Sequence, residues 1–411
     1  MDKNTITGFI LIAAVLIGYG IWSQPSQEER IAMMRQDSIK NVERQKAELL
    51  QKQQSESKTN SNAMMTTDST ALFYSALTGN EKRITLKNKK VELTLNTKGG
   101  TIEKAVVKNF TDRNGNPDVT LFDKNDQNMS FMLLAKESNI ITSDLYFTPS
   151  EISDSTVTMT ATSGQGRSIS MKYTLGKDYM LHMTLQTTGM AGLFSPNYNT
   201  MDVNWNEKCR QQEKGFTFEN QHTSLSYHKV DGGTKYLSET SEDKDKTIED
   251  RINWIAFKNQ FFSAVMIAKN DFAENSVLTS IPQEKGTGYL KQYEAKLKTF
   301  FDPSGKQPSE FDFYFGPNDF RLLKRIEKEA QYDSDLELER LVYLGLPLFR
   351  IINRWFTIYV FDFLTGMNIN MGNHAFEIHH LSAGEEKLFE FGQDESIETQ
   401  TRGGNKTIQQ A

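Results

Sequence analysis

The chain has 411 residues, of which 37% are hydrophobic and 24% are charged, and it contains only nine prolines. This length and composition suffice for at least one large core, and they exclude a collagen-like or fully disordered protein. The formal net charge of −6 argues against a protein whose main task is to bind nucleic acid. Cys209 is the single cysteine, which excludes an intrachain disulfide and a multi-cysteine metal cluster.

An uncharged apolar run, ITGFILIAAVLIGYGIW, occupies residues 6–22. At ~1.5 Å per residue its helix would be ~25 Å long, slightly less than the ~30 Å hydrocarbon core of a bilayer. A cleaved signal peptide is the alternative, but the run is long for one and residues 18–20, Gly-Tyr-Gly, form a poor cleavage site. We predict an uncleaved transmembrane anchor within residues 1–27, with the membrane-contacting residues Ile6, Phe9, Leu16 and Trp22.

Residues 28–82 form a polar spacer. Glu, Gln, Lys and Arg dominate its first half, and residues 52–69 contain almost no apolar side chain. Such a segment buries too little apolar surface to offset the entropy lost on ordering, so the sequence predicts a linker between the anchor and a folded body.

The body, residues 83–316, shows the alternation of apolar and polar residues that is typical of half-buried strands. Residues 169–175 alternate in this way, and residues 179–185 repeat the pattern after a Gly-Lys-Asp turn, which predicts a hairpin. Similar runs recur as far as Phe315, without interleaved amphipathic helices. The pattern predicts a mainly β fold, a large antiparallel β-sandwich.

The pattern becomes helical after the last predicted strand. Asn318 or Asp319 can cap a helix that runs from residue 320 to about residue 332. A second helical run is predicted to begin at Leu336, so that residues 317–345 form connecting helices. The apolar face of the first helix contains Leu322, Leu323 and Ile326.

Residues 346–372 begin with the apolar sequence LPLFRIINRWFTIYVFDFL, which nevertheless carries Arg350, Arg354 and Asp362. In a spanning helix each charge would cost ~2.5–3.5 kcal/mol near the bilayer centre. The two arginines share one helical face and apolar residues occupy the other, which predicts an amphipathic helix lying in the headgroup plane. The alternative is a helix packed on the sandwich. The predicted interfacial residues are Arg350, Ile351, Ile352, Arg354, Trp355 and Tyr359.

Motifs for catalysis, cofactors or metals do not emerge from the sequence. It contains no phosphate-binding loop, no nucleophile elbow and no zinc-protease motif. His222 and His228 have no recognised ligand spacing, and the adjacent His379 and His380 would point apart in a regular element. His182 occupies an outward position of its predicted strand, where a surface histidine is expected. We predict that the chain is not an enzyme and has no cofactor or metal.

Two further groups carry open interpretations. Lys208 and Arg210 flank Cys209 and could lower the pKa of its thiol, although a structural thiol is favoured because no base partner is evident. Glu207 and Glu213 could belong to a carbohydrate site, although ordinary surface carboxylates are favoured.

Three stretches stand out beside the anchor, the spacer and the amphipathic segment: LNTKGGTI at residues 95–102, INWIAFKNQFF at residues 252–262 and YFGP at residues 314–317. In this order they resemble the YidC membrane protein insertase family, in the version of the Bacteroidetes group, over residues 1–372. The resemblance implies a mutarotase-like periplasmic sandwich held at the inner membrane. It also implies three kinds of partner: the lipid bilayer, nascent integral membrane proteins and Sec translocon components.

Residues 373–411 depart from the family pattern. The resemblance implies a second transmembrane span and a five-helix insertase core after Gly372, but no run of ~20 apolar residues follows. We expect a polar, disordered tail and no insertase core. Two alternatives to an insertase-type chain stay open: an anchored periplasmic chaperone module, and a carbohydrate-binding sandwich. A pocket in which a His and a Glu reach one sugar-sized site would favour the latter.

Overall fold

The structure is a computed structural model, and it describes residues 72–164, 166–237, 244–330, 332 and 334–342. Antiparallel strands account for most of these residues. In chain order they are β1 (Arg83–Lys87), β2 (Val91–Asn96), β3 (Thr101–Lys108), β4 (Asp118–Asp123), β5 (Gln127–Leu134), β6 (Asn139–Ile141), β7 (Thr148–Ser150), β8 (Thr156–Thr162), β9 (Ser168–Leu175), β10 (Met180–Thr188), β11 (Thr200–Arg210), β12 (Ser224–Lys229), β13 (Gly233–Tyr236), β14 (Lys244–Ile248), β15 (Ile252–Lys258), β16 (Phe262–Phe272), β17 (Ser276–Pro282), β18 (Tyr289–Phe300) and β19 (Ser309–Pro317).

Strands β1 to β4 pair in chain order as a separate antiparallel sheet. The other strands form two layers. The first layer has the order β6-β5-β11-β18-β17-β14, and the second has the order β13-β12-β15-β16-β19-β10-β9-β8-β7. The layers are continuous at one position, where Phe272 of β16 lies opposite Thr299 of β18.

The two layers pack face to face through aromatic side chains. Trp205 of the first layer lies 4.1 Å from Phe257 of the second, measured between ring centroids. Phe131 and Phe311 make a second contact between the layers, with centroids 5.4 Å apart. Because apolar residues alternate along each strand, one face of each layer supplies this core. The predicted antiparallel β-sandwich is confirmed.

The predicted hairpin is also confirmed. Strands β9 and β10 pair in register, with Tyr173 opposite Met183, and their apolar residues are buried on one face. The turn between them is residues 176–179, so β10 begins at Met180. The register follows from the sequence pattern because a shift by one residue would expose every buried side chain.

Two α-helices lie within the described ranges: α1 (Phe216–Gln221), which the sequence did not predict, and α2 (Phe320–Ala330). Asp319, not Asn318, caps α2, since its Oδ1 accepts a hydrogen bond from Leu322 N–H at 2.8 Å. The predicted apolar face of α2 is buried. The chain also forms short 3₁₀ helices at Tyr74–Ala76, Lys124–Asp126, Thr142–Asp144, Ala191–Leu193 and Leu338–Leu341. The last of these begins two residues after Leu336, where the second helical run was predicted to begin.

Candidate functional site

The predicted membrane contacts lie outside the described residues. This applies to the anchor residues Ile6, Phe9, Leu16 and Trp22 and to the interfacial residues Arg350, Ile351, Ile352, Arg354, Trp355 and Tyr359. Both segments remain predictions. Across the described ranges, no helix combines the length and the apolar character needed to cross a membrane.

Two of the singled-out sequence stretches are neighbours in the second layer. Strands β16 and β19 pair so that Phe262, the last residue of INWIAFKNQFF, lies opposite Pro317, the last residue of YFGP. The amide of Asn318 donates to the carbonyl oxygen of Asn259 at 3.1 Å and accepts from Ser263 Oγ at 2.6 Å. The two stretches therefore fix together the point at which α2 leaves the sheet.

A row of side chains crosses the outer face of the second layer, the face turned away from the first layer. His182, Asp312, Ile267, Trp254 and His228 lie directly opposite one another on five adjacent strands. The residues that follow α2 cover this row. We name the contacts of residues 332 and 334–342 with the row and with α2 the C-terminal clasp.

Asp312 is the central acceptor of the clasp. One carboxylate oxygen lies 2.8 Å from Nδ1 of His182, and the other accepts from the hydroxyl of Tyr332 at 2.7 Å. Lys269 Nζ lies 2.9 Å from that second oxygen and 4.1 Å from the ring centroid of Tyr332. The carboxylate is thus neutralised and hydrogen-bonded on both oxygens, as a buried charge requires.

The pKa values of this group follow from the same contacts. Burial alone would raise the pKa of Asp312, but the hydrogen bonds from His182, Tyr332 and Lys269 lower it below its usual value. The hydrogen bond to Asp312 raises the pKa of His182. Burial, followed by the charge of Asp312, raises the pKa of Tyr332. Asp312 is therefore the ionised member and Tyr332 the neutral donor near neutral pH.

A second contact joins the clasp to the INWIAFKNQFF stretch. The indole Nε1 of Trp254 donates to the carbonyl oxygen of Leu336 at 2.8 Å. Leu336, Leu338 and Leu341 are buried in the core. The backbone after α2 is therefore held to the sheet by a hydrogen bond and by apolar packing.

Glu327 caps the 3₁₀ helix that follows α2. Its carboxylate accepts hydrogen bonds from the backbone N–H groups of Leu336, Glu337 and Leu338. Burial raises the pKa of Glu327 to about 7, and the neighbouring carboxyl group of Asp335 contributes to the increase. The cap fixes the angle between α2 and the next segment, because three successive N–H groups converge on one side chain.

Glu337 attaches the clasp to strand β13. Its Oε2 accepts from the backbone N–H of Thr234 at 3.0 Å, and its Oε1 pairs with Arg340 at 2.8 Å. His228 Nε2 lies 3.7 Å from Oε2, while Nδ1 of the same ring bonds the side chain of Asn253. This His–Glu pair does not resemble a sugar site, because both side chains are already engaged in internal contacts.

One sequence expectation is wrong at strand β11. Glu207 is not a surface carboxylate but is only 3% exposed, because alternation along β11 turns it to the same face as Trp205. Burial raises the pKa of Glu207 well above its usual value, and the charge of Asp126 adds to the effect. The apolar residues at alternate positions before it carried a signal that could have placed it inside.

Cys209 is buried on that same face, and burial raises the pKa of its thiol well above the ordinary value. Lys208 and Arg210 do not lower it, because neighbours in a strand point to the opposite face. The thiol is therefore structural. The part of the chain that the structure describes contains no group of three or more His, Cys, Asp or Glu residues placed to hold a metal ion.

These features define a class: an antiparallel β-sandwich with a helical C-terminal extension clasped to its outer face. The family model described as YidC periplasmic domain matches residues 83–359 of this chain. The chain belongs to that family.

Relatives support the assignment. A membrane protein insertase YidC from Phocaeicola vulgatus is 47% identical over 374 residues, which cover 90% of this chain and 59% of the relative. Those from Bacteroides fragilis and Porphyromonas gingivalis are 41% and 31% identical, each covering 90% of this chain and 60% of the relative. The chain thus spans about three fifths of the length of these relatives.

Two solved structures are similar at low identity. A galactose mutarotase-like protein from Lactobacillus casei is 11% identical, with a TM-score of 0.38. The match covers 57% of this chain and 100% of the solved chain. A YidC insertase crystal structure with its first transmembrane domain resolved is 14% identical, with a TM-score of 0.32. That match covers 70% of this chain and 50% of the solved chain. Neither structure assigns a ligand or an activity to this chain.

Proposed function

We propose that this chain works in membrane protein insertion of the YidC type, as the part that presents a β-sandwich in the periplasm at the inner membrane. Its partners are then the lipid bilayer and nascent integral membrane proteins, with Sec translocon components as further candidates. The family assignment and the names of the relatives support this proposal.

The C-terminal clasp is the observation that carries the proposal. It ends at Val342, four residues before the segment predicted to lie at the membrane surface begins at residue 346. A segment held by Asp312, Trp254 and Glu327 leaves the sandwich in one fixed direction, because buried polar contacts specify geometry more strictly than apolar packing does. The sandwich would thereby set the position of the interfacial helix.

Two membrane contacts complete the proposal. Residues 1–27 would anchor the chain in the membrane, and residues 346–372 would rest on the periplasmic face of the same membrane. Arg350 and Arg354 would reach lipid phosphates while Ile352 and Trp355 enter the apolar boundary.

A chimera tests the function. The aligned part of the Phocaeicola vulgatus relative would be replaced by this chain, in cells depleted of their own copy. We expect the chimera to restore growth and the insertion of a reporter membrane protein. A matched chimera with Trp254→Phe and Asp312→Asn, which weakens the clasp contacts with Leu336 and Tyr332, should restore growth less well.

The proposal fails if the chimera accumulates in the membrane at the normal level and the cells still do not grow. Protein amount must be measured by blotting in the same cultures, so that loss of the protein is not read as loss of function. Equal growth of both chimeras would contradict the role given to the clasp while leaving the insertase assignment standing.

The anchor is tested separately. Mass measurement of the membrane-extracted chain should find residues 6–22 retained. A mature N-terminus near Ser23 would show instead that this run is a cleaved signal peptide.

A further inference from the structure

The exposed face of α2 is strongly basic. Arg321, Lys324, Arg325 and Lys328 follow one another at intervals of three, one and three residues, which places them on one side of the helix, and all four are exposed. The opposite side is buried and holds Phe320, Leu322, Leu323 and Ile326. In a chain of net charge −6, this cationic face does not reflect a generally basic composition.

The carboxylates near α2 leave this face cationic because most of them are held in internal contacts. Asp319 caps the helix, Glu327 caps the following 3₁₀ helix, and Glu337 binds Thr234 and Arg340. Glu329 lies beside the face, 3.9 Å from Arg325, and both side chains are more than half exposed. Such an exposed pair is weak and leaves both groups accessible to other charges.

A second cationic group lies at the end of the sheet where α2 begins. Lys87 ends β1, and Lys89 and Lys90 follow in the turn to β2. Lys87 and Lys89 are exposed, and Nζ of Lys90 lies 5.1 Å from the ring centroid of Tyr179. The ring of Tyr179 is 6.0 Å from that of Tyr314, whose hydroxyl donates to the carbonyl oxygen of Pro317. The turn and the start of α2 are thus connected through two tyrosine rings in edge-to-face contact.

We propose that the outer face of α2, extended by the β1–β2 turn, is a docking surface for an anionic membrane. The proposal rests on the proposed function, which places this domain beside a bilayer. Charge complementarity and continuity both favour a lipid surface, because the predicted interfacial helix with Arg350 and Arg354 follows α2 in the chain. Several cations on one face attract anionic headgroups over about a Debye length, so the contact should weaken with salt.

The experiment measures the distance of α2 from lipid headgroups in the full chain. A spin label would be placed at Lys324→Cys and, as the matched control, at Lys296→Cys on the exposed face of β18. Cys209 is buried with a raised thiol pKa, so the introduced cysteines should react first. The chain would be reconstituted into vesicles of phosphatidylcholine alone or with phosphatidylglycerol, both containing a trace of nickel-chelating lipid.

We expect relaxation of the label at residue 324 to exceed that at residue 296 by about twofold or more in anionic vesicles at low salt, and to fall to the neutral-vesicle value at ~0.5 M salt. Arg325→Glu with Lys328→Glu should remove the excess. Lys285→Glu with Lys298→Glu, which reverses two exposed cations elsewhere and leaves both label positions in place, should leave the excess unchanged.

Equal relaxation at the two positions in anionic vesicles would overturn the proposal, and so would an excess that survives the Arg325 and Lys328 reversals. In either case the basic face is simply solvated. Circular dichroism of each variant confirms that the fold is retained. Because the measurement uses purified protein and lipid, its failure is distinguishable from failure of the chimera to restore growth.

Discussion

The indole of Trp254 and the backbone of Leu336 are joined by a hydrogen bond of 2.8 Å between Nε1 and the carbonyl oxygen. The two residues belong to different parts of the chain, one to a central strand of the second layer and the other to the segment after α2. This contact explains why a tryptophan lies within the INWIAFKNQFF stretch. A buried phenylalanine could fill the space but could not donate a hydrogen bond to the carbonyl group of Leu336.

Trp254→Phe should therefore lower the free energy of unfolding by about 1–3 kcal/mol beyond the loss caused by the smaller side chain. The additional loss arises because the carbonyl group of Leu336 loses its hydrogen-bond donor. Trp205→Phe is the matched control. Trp205 is equally buried, but its Nε1 has no hydrogen-bond partner among the described residues. Urea unfolding of the full chain in mild detergent compares the two. Equal losses would show that the hydrogen bond contributes nothing.

The pair of His182 and Asp312 should make stability depend on pH. The pKa of His182 is raised from 6.5 in the folded state, so its contribution is complete below pH 6.5 and is lost as pH rises through the higher folded value. The pKa of Asp312 is lowered from 3.8, so its contribution is present above pH 3.8 and is lost as pH falls through the lower folded value. The pair stabilises the fold most between about pH 4 and 6.5.

The difference in unfolding free energy between the native chain and His182→Gln should accordingly be larger at pH 5.5 than at pH 8. When the chain also carries Asp312→Asn, the effect of His182→Gln on the unfolding free energy should no longer depend on pH, since the amide carries no charge to attract the imidazolium. A difference that grows toward pH 8 would show that the assigned direction of the His182 pKa is wrong.

Glu327 should make stability depend on pH in the direction opposite to that of Asp312. Its pKa is raised from 4.5 to about 7 on folding, so the native state binds more protons than the unfolded state between these values, and stability falls as pH rises through this window. Glu327→Gln should remove the dependence and keep part of the cap, because the amide oxygen can still accept from Leu336 and Glu337. Glu327→Leu should lose the cap, at about 0.5–2 kcal/mol.

Hydrogen exchange locates that loss. In Glu327→Leu the N–H groups of Leu336 and Leu338 should exchange faster, whereas the strands of the first layer should be unaffected. Uniformly faster exchange would indicate a general loss of stability and would argue against a specific cap.

Gly316 of the YFGP stretch should not tolerate a side chain. A Cβ at this position would lie 2.8 Å from Cγ of Tyr179 and 2.8 Å from the hydroxyl oxygen of Tyr314, closer than van der Waals contact allows. Gly316→Ala should cost about 1–3 kcal/mol, as overpacking does. Gly192→Ala is the control, because a Cβ there meets nothing within 4 Å. Thermal unfolding compares the variants, and equal melting temperatures would contradict the predicted clash.

Local patterns in the sequence predicted several elements, though not α1, and they did not predict the contacts between distant elements. The hairpin of β9 and β10 follows from alternation alone, and the buried face of α2 follows from its apolar spacing. The clasp could not be predicted, because Asp312 receives its partners from β10, β16 and the segment after α2, and no local signal links them. The adjacency of INWIAFKNQFF and YFGP is likewise visible only after β16 and β19 have paired.

A polar residue at an inward strand position was the clearest error. Glu207 was judged by its residue type, as surface carboxylates usually are, although its strand alternates regularly. The strand period was the more reliable guide, because backbone pairing fixes which face a side chain occupies before its chemistry is considered.

The order of the strands also determines how the domain can be assembled. Strand β18 lies between β11 and β17, and strand β19 lies between β16 and β10, so both layers stay interrupted until the last two strands have been synthesised. Such non-local pairing is slow and leaves strand edges open to aggregation meanwhile. Since Asp312 lies on β19, the segment after α2 can dock only on a finished sheet. Docking of that segment therefore reports that the sandwich has closed, and it marks the completion of folding.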